Sequence, residues 1–356
     1  MIPIFKPYMP IDLGELNSIL HSGSLAYGKW GRSFELELKE YLKVDYLLTT
    51  NSYNSAMLIL LATLELKAGD EVLASPMSCL ASNQPFLNRS LKVKWCDIDP
   101  QTGTLNPDEV RQNITAKTKA IFHNHHCGIP GYIDEINEIA KSHGLFVVND
   151  CIEAFGSEYK GNIIGNLGSD ASIYSFQTVR LPNTIEGGAI TFKDERLFQK
   201  ASIIRDYGID RSKFRDVLNE INPECDIEVE GFGGLLSDVN SYIGHQQMAD
   251  LPVLLNKQRT IANAWKSYFS DIDKTVEILG DRMDIFPNYW VFSILTNDKS
   301  NLLSFFRNKG FYASGIHLNN NKYSAFGDLT ELKGVNEFMR KHLALPCGWW
   351  IDKLEL

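Results

Sequence analysis

The sequence predicts an α/β protein in two parts: a large domain on a mostly parallel sheet, then a smaller α+β domain. Three observations predict it. Short apolar runs alternate with longer helical patterns from about residue 35 to about residue 195. One of them, Phe146-Val147-Val148-Asn149-Asp150, is near-continuously apolar and ends in an acid. Buried parallel strands read this way, and their carboxyl ends line the ligand crevice of such sheets. Beyond a long helical stretch from Leu251 to Phe269 the pattern changes to strand and helix in a smaller α+β unit. The expected domains are 1-245 and 246-356.

The elements follow in order. Phe34 to Leu42 reads as a helix, and Tyr46-Leu47-Leu48-Thr49-Thr50 as a strand. Ala56 to Leu66 is a long apolar helix, followed by the strand Glu71-Val72-Leu73-Ala74, which Ser75-Pro76 ends. Lys92 to Cys96 and Ala120 to His123 are further strands; Ile133 to Ser142 is helical and leads into the strand ending at Asp150. Arg211 to Gly234, rich in charge, Gly and Asn and holding Pro223, reads as a long surface excursion. In the second domain Tyr289 to Ile294 is a strand and Leu302 to Lys309 a helix.

A chain of 356 residues with 44% hydrophobic content can bury a substantial core. Its net charge of −9 argues against a nucleic-acid partner. The start, Met1-Ile2-Pro3-Ile4-Phe5-Lys6, lacks the pattern of a secretory leader, and no apolar run is long enough to span a bilayer. The six cysteines follow no pairing motif, so the expectation is a reduced, cytoplasmic protein without a membrane partner. His123, His125 and His126 sit together, but strand geometry puts His126 on the opposite face from the other two, and no carboxylate is nearby in sequence. No metal site is expected.

The segment most telling for function is Ser175-Phe176-Gln177-Thr178-Val179-Arg180, followed by Glu186-Gly187-Gly188. It resembles the cofactor-lysine segment of the DegT/DnrJ/EryC1/StrS sugar aminotransferases, with Arg180 where that family has its lysine. Further stretches resemble the same family in order: Leu25 to Gly28, Ala68 to Val72, Ser75 to Cys79, His125 to Gly128, Asp150 to Gly156, Gly315 to His317 and Leu345 to Trp350. The resemblance covers nearly the whole chain. It implies the type I aminotransferase fold, a homodimer with sites shared between subunits, and pyridoxal phosphate (PLP) or pyridoxamine phosphate (PMP) as cofactor. It implies a keto-sugar nucleotide as substrate, in surface-polysaccharide or other sugar biosynthesis.

The resemblance also implies roles. Asp150 would hold the protonated ring nitrogen of the cofactor; the lesser alternative, read from the residue alone, is a strand-end aspartate capping the next turn. Ser175 would donate to the phosphate, or serve only as a turn serine. Tyr53, Asn54, Ser78, Cys79, Glu153 and Gln177 would border the cofactor, His125 would lie at its edge as a catalytic residue, and His317 and Trp349 would meet the sugar. Several of these positions depart from the family pattern. A guanidinium stays protonated and offers no free amine, so Arg180 cannot form a Schiff base, and any PLP or PMP would be held non-covalently. Glu153 stands for Gln or His, Tyr53-Asn54 for Gly-Thr, and Gly233 and Leu235 for Asn and Arg. So many departures favour natural divergence over a single engineered change. The alternatives to a working transaminase are a non-catalytic or regulatory paralogue that keeps the fold, and a PLP-independent or unanchored-cofactor enzyme on a related sugar nucleotide. Arg180 is expected between Asp150 and Glu153, bridging both carboxylates.

Overall fold

The computed structural model describes residues 1–272, 275–327 and 329–354. Its centre is a seven-stranded sheet, and the strands alternate with helices along the chain. Helix α1 (Leu16–Leu20) and helix α2 (Lys29–Leu42) lead to strand β1 (Tyr46–Thr50). Helix α3 (Tyr53–Thr63) starts at Ser52, whose hydroxyl accepts from the Ser55 N–H and so satisfies one of the free donors of the first turn. Then come β2 (Glu71–Ala74), α4 (Leu80–Asn88), β3 (Lys92–Trp95), α5 (Pro107–Asn113) and β4 (Thr118–Asn124). Helix α6 (Ile133–His143) buries Ile133, Ile136, Ile139 and Ala140, one stripe of its surface, and stops at Gly144 in the left-handed conformation. Strand β5 (Phe146–Asp150) follows, then the short hairpin β6 (Glu158–Tyr159) and β7 (Asn162–Ile163), then β8 (Ala171–Ser175), β9 (Gly188–Phe192) and α7 (Glu195–Arg205).

The sheet order is β1-β9-β8-β5-β4-β2-β3. Only β9 runs against its neighbours, β1 and β8; the other pairings are parallel. The mostly parallel sheet anticipated from the sequence is therefore present, with two strands the sequence reading had missed. All five residues of β8 and all five of β9 are buried. Strands covered on both faces lose the in–out alternation that betrays a strand in sequence. The parallel strands bring Ala74, Asn124, Asp150 and Ser175 to one edge of the sheet, which is where the candidate site forms.

Residues 211 to 230 contain neither helix nor strand, and Val217 and Leu218 are fully or largely exposed, in keeping with a surface excursion. Helix α8 (Asp238–Met248) and the long α9 (Leu251–Ile272) then cross to the second lobe. There β10 (Glu277–Ile278), β11 (Ile285–Phe286), β12 (Phe292–Leu295), helix α10 (Lys299–Asn308), helix α11 (Lys333–Lys341) and β13 (His342–Leu345) complete the chain. Strands β10, β12 and β13 form an antiparallel sheet over a separate core of Trp265, Phe269, Phe292, Phe306 and Phe311. Two backbone pairings are among the contacts that tie the lobes together. The first residues of the chain return to the second lobe, with Ile2 bridged to Phe311, and β11 pairs with β6 of the large domain. No helix among the described residues is long and apolar enough to cross a membrane.

Candidate active site

Strand β5 presents Asp150 at its carboxyl end, almost fully buried. Its carboxylate is already surrounded by donors from this chain. Tyr53 Oη donates to Oδ1 at 2.8 Å, the Ile152 N–H to the same oxygen at 3.1 Å, and Asn124 Nδ2 to Oδ2 at 2.8 Å. Burial pushes the Asp150 carboxyl up from its ordinary value, and these hydrogen bonds partly counter the shift.

One turn further on, Glu153 is buried with a different set of partners. Its Oε1 lies 2.6 Å from His317 Nε2, and its Oε2 accepts the Cys127 N–H at 2.7 Å. Arg180 Nη1 stands 3.9 Å from Oε1, an ion pair at its outer limit and without a directed hydrogen bond. Burial alone would raise the Glu153 carboxyl; the charge of His317 and its hydrogen bond, then the charge of Arg180, outweigh it and hold the group down at about 2. The loop carrying Glu153 is clamped from the second lobe. Asn288 Nδ2 donates to the Glu153 carbonyl at 2.8 Å and to the Phe155 carbonyl at 3.0 Å. Gly128 leaves room for this: a Cβ there would meet Asn288 Oδ1 at 2.1 Å.

Arg180 itself is buried, its guanidinium lying 4.3 Å over the ring of Trp290. Phe5 is stacked on the same ring at 4.3 Å, and Trp290 Nε1 donates to the Val179 carbonyl at 3.0 Å. Trp290 thus fixes both the side chain of Arg180 and the backbone before it. The expected bridge to Asp150 does not form. Tyr53, Asn124 and Ile152 occupy that carboxylate, and Arg180 faces Glu153 alone.

The remaining expected residues divide. Ser175 accepts from the Gln177 N–H at 3.3 Å, and the Gln177 side chain turns out to Glu186. Ser78 accepts from Asn83, and Cys79 precedes α4 with its thiol raised by burial. Asn54 is exposed on the first turn of α3. His317 joins the cluster through Glu153 and lies parallel to the Trp290 ring. Two residues stand apart. His125 is fully buried beside His123, its Nδ1 accepting from the Gly131 N–H. Alternation along β4 turns Asn124 toward Asp150 and His123 to the other face, where His125 joins it. Trp349 meets Tyr8 and Lys6 of the N-terminal segment instead. Asn124, Asn288 and Trp290 were missed in sequence because each reads there as an ordinary strand-end or strand residue. The ring nitrogens of His126 and His342 and the Cys127 sulfur lie within 4.8 Å of one another, but Ser293 Oγ already contacts His342 Nε2 at 3.0 Å.

A large domain on this sheet, a smaller α+β lobe and an acid at the end of β5 define the type I aminotransferase class. The chain superposes on the sugar aminotransferase CalS13 from Micromonospora echinospora with a TM-score of 0.92 at 24% identity, over 99% of this chain and 96% of that one. Residues 11–353 match the model of the DegT/DnrJ/EryC1/StrS aminotransferase family, and the chain belongs to that family. Its sequence is 30% identical to GDP-perosamine synthase of Escherichia coli O157:H7, over 83% of this chain and 78% of that protein. A structural neighbour, Spr1654 from Streptococcus pneumoniae, is known in PLP and PMP forms; the PLP form has a TM-score of 0.87 at 21% identity, over 98% of this chain and 94% of that one.

The residues present in this chain do not fit such a cofactor. Asp150 has its donors, and Arg180 has no neutral amine. Both oxygens of the Asp150 carboxylate accept from this chain, Oδ1 from Tyr53 and Ile152 and Oδ2 from Asn124, so a ring nitrogen would have to displace one of these donors.

Proposed function

We propose that this chain is a nucleotide-sugar-binding member of its family, serving surface-polysaccharide or other sugar biosynthesis, without a covalently anchored cofactor. The family relationship supports the substrate class: the E. coli relative is a GDP-sugar enzyme by name. The observation that carries the second half is Arg180, buried between Trp290 and Glu153 at the position read as the lysine. A buried guanidinium paired with a carboxylate is a structural group; it neither forms a Schiff base nor shuttles a proton. Of the readings open to such a chain, a paralogue that keeps the fold and binds its sugar nucleotide agrees best with an Asp150 whose carboxylate accepts from Tyr53, Ile152 and Asn124 of the chain itself. A homodimer, with sugar sites formed between subunits, belongs to the same reading.

Two measurements on the purified protein test it. Calorimetry with GDP- and dTDP-hexoses is expected to give saturable binding; no binding of either class sinks the substrate assignment. Incubation with PLP followed by dialysis is expected to leave a colourless protein. Cofactor fixed by borohydride to one particular lysine would refute the assignment of Arg180.

A further inference from the structure

Tyr53 is the first residue of α3 and is buried, although a helix N-terminus at a sheet edge is ordinarily open to ligand. Its ring reaches the end of β5, where the hydroxyl donates to Asp150 Oδ1 at 2.8 Å and lies 3.4 Å from Ser82 Oγ. Seen from Asp150, a phenol and a protonated pyridine are alike: each is a six-membered aromatic ring offering one donor at its far end. Burial and the adjacent carboxylate push the Tyr53 hydroxyl well above its usual range, so it stays protonated and remains a donor at any working pH.

We infer that Tyr53 is a built-in substitute for the cofactor ring, and that Tyr53 and Arg180 together keep this chain cofactor-free. The inference rests on the family reading of Asp150 and Arg180 given above. Tyr53 satisfies the carboxylate that a bound ring would need, Arg180 fills the place of the amine, and Glu153 neutralises Arg180. Neither exchange alone restores a covalently held cofactor. Restoring a lysine leaves Tyr53 on Asp150, and removing Tyr53 leaves no amine for a covalent bond.

The test compares the wild-type protein with Arg180→Lys, Tyr53→Gly and the double variant. Each is equilibrated with PLP by dialysis, then reduced with borohydride and weighed intact. Wild type and Arg180→Lys are expected to retain no stoichiometric cofactor. Tyr53→Gly is expected to bind PLP reversibly, roughly tenfold or more tighter than wild type. The double variant is expected to carry one covalent cofactor per chain, on residue 180. Stoichiometric PLP in wild type, or equal labelling of residue 180 in Arg180→Lys and the double variant, overturns the inference. If the glycine variants do not fold, Tyr53→Phe/Arg180→Lys decides instead: the ring still fills the space, so labelling of that protein also overturns it. Nucleotide-sugar calorimetry on the wild type runs in parallel. Its failure refutes the proposed substrate and leaves the Tyr53 result standing.

Discussion

Glu153 Oε1 and His317 Nε2 stand 2.6 Å apart, joining the loop after β5 to the second lobe through a carboxylate with no exposed side-chain surface. The same carboxylate is the counter-charge of Arg180. Removing its charge while keeping its shape leaves a buried guanidinium unpaired. Glu153→Gln is therefore expected to destabilise the protein by about 3–5 kcal/mol in urea unfolding. Asp134→Asn, which breaks the exposed pair with Lys160, is expected to cost within about 0.5 kcal/mol. Equal effects of the two changes would show that the Glu153 cluster contributes no more than a surface pair.

Acid is expected to weaken the fold in two stages. Burial holds His125 near 3 and His126 near 4, and lowers His123 and His342 well below the ordinary 6.5. These rings fold neutral, whereas an unfolded chain protonates them first. Their contribution is whole above about pH 6.5 and is lost as pH falls through their folded values. For His126 alone the shift corresponds to on the order of 3 kcal/mol. Below the ordinary carboxyl value of 4.5, Glu153 adds a second loss, extending toward its folded value of about 2. Asp150, raised by burial, has the opposite sign and offsets part of this second stage. The urea midpoint should decline continuously from pH 7 to pH 4; a flat profile would mean that the buried histidines gain protons without cost.

Much of this was legible in the sequence, for identifiable reasons. Strand β5 announced itself because a buried parallel strand is a continuous apolar run, and Asp150 because an acid ended it. Strands β8 and β9 escaped: Ala171-Ser-Ile-Tyr-Ser175 and Gly188-Ala-Ile-Thr-Phe192 mix small and polar residues, and only their neighbours explain their burial. At the site, Arg180 and Glu153 stood out as departures from a motif, and the structure brings them within 3.9 Å. The partner of Asp150 was not legible. Tyr53 lies 97 residues away from it, and nothing local says where a buried phenol at a helix start will point. A motif gives order along the chain, whereas the pleat decides which face a side chain takes, and here it turns the His125 ring toward His123.

Trp290 is expected to matter as a ring rather than as a mere filler. It carries Arg180 at 4.3 Å on its face and Phe5 at 4.3 Å stacked against it, and its Nε1 holds the Val179 carbonyl. Trp290→Ala should cost about 3–5 kcal/mol, the usual range for emptying so large a buried site. Trp290→Phe keeps an aromatic face and loses the indole donor; its cost should stay nearer 1–2 kcal/mol, about that of one hydrogen bond and a small void. Urea unfolding of the pair checks this. Equal losses would mean that the Arg180 and Phe5 contacts contribute little, and that the Val179 hydrogen bond dominates.

The protein is expected to associate with a second copy of itself. Val217, Leu218 and Ile221 are 101%, 78% and 60% exposed on the excursion between α7 and α8. Apolar side chains exposed on a segment without helix or strand lose free energy when another surface covers them. Light scattering at micromolar concentration should return twice the mass of one chain. The double change Val217→Asp/Leu218→Asp should shift the protein toward the monomer while leaving its circular dichroism unaltered, because neither side chain supports the core. A wild-type monomer at that concentration would refute the dimer. A dimer that survives the double change would place its interface elsewhere on the chain.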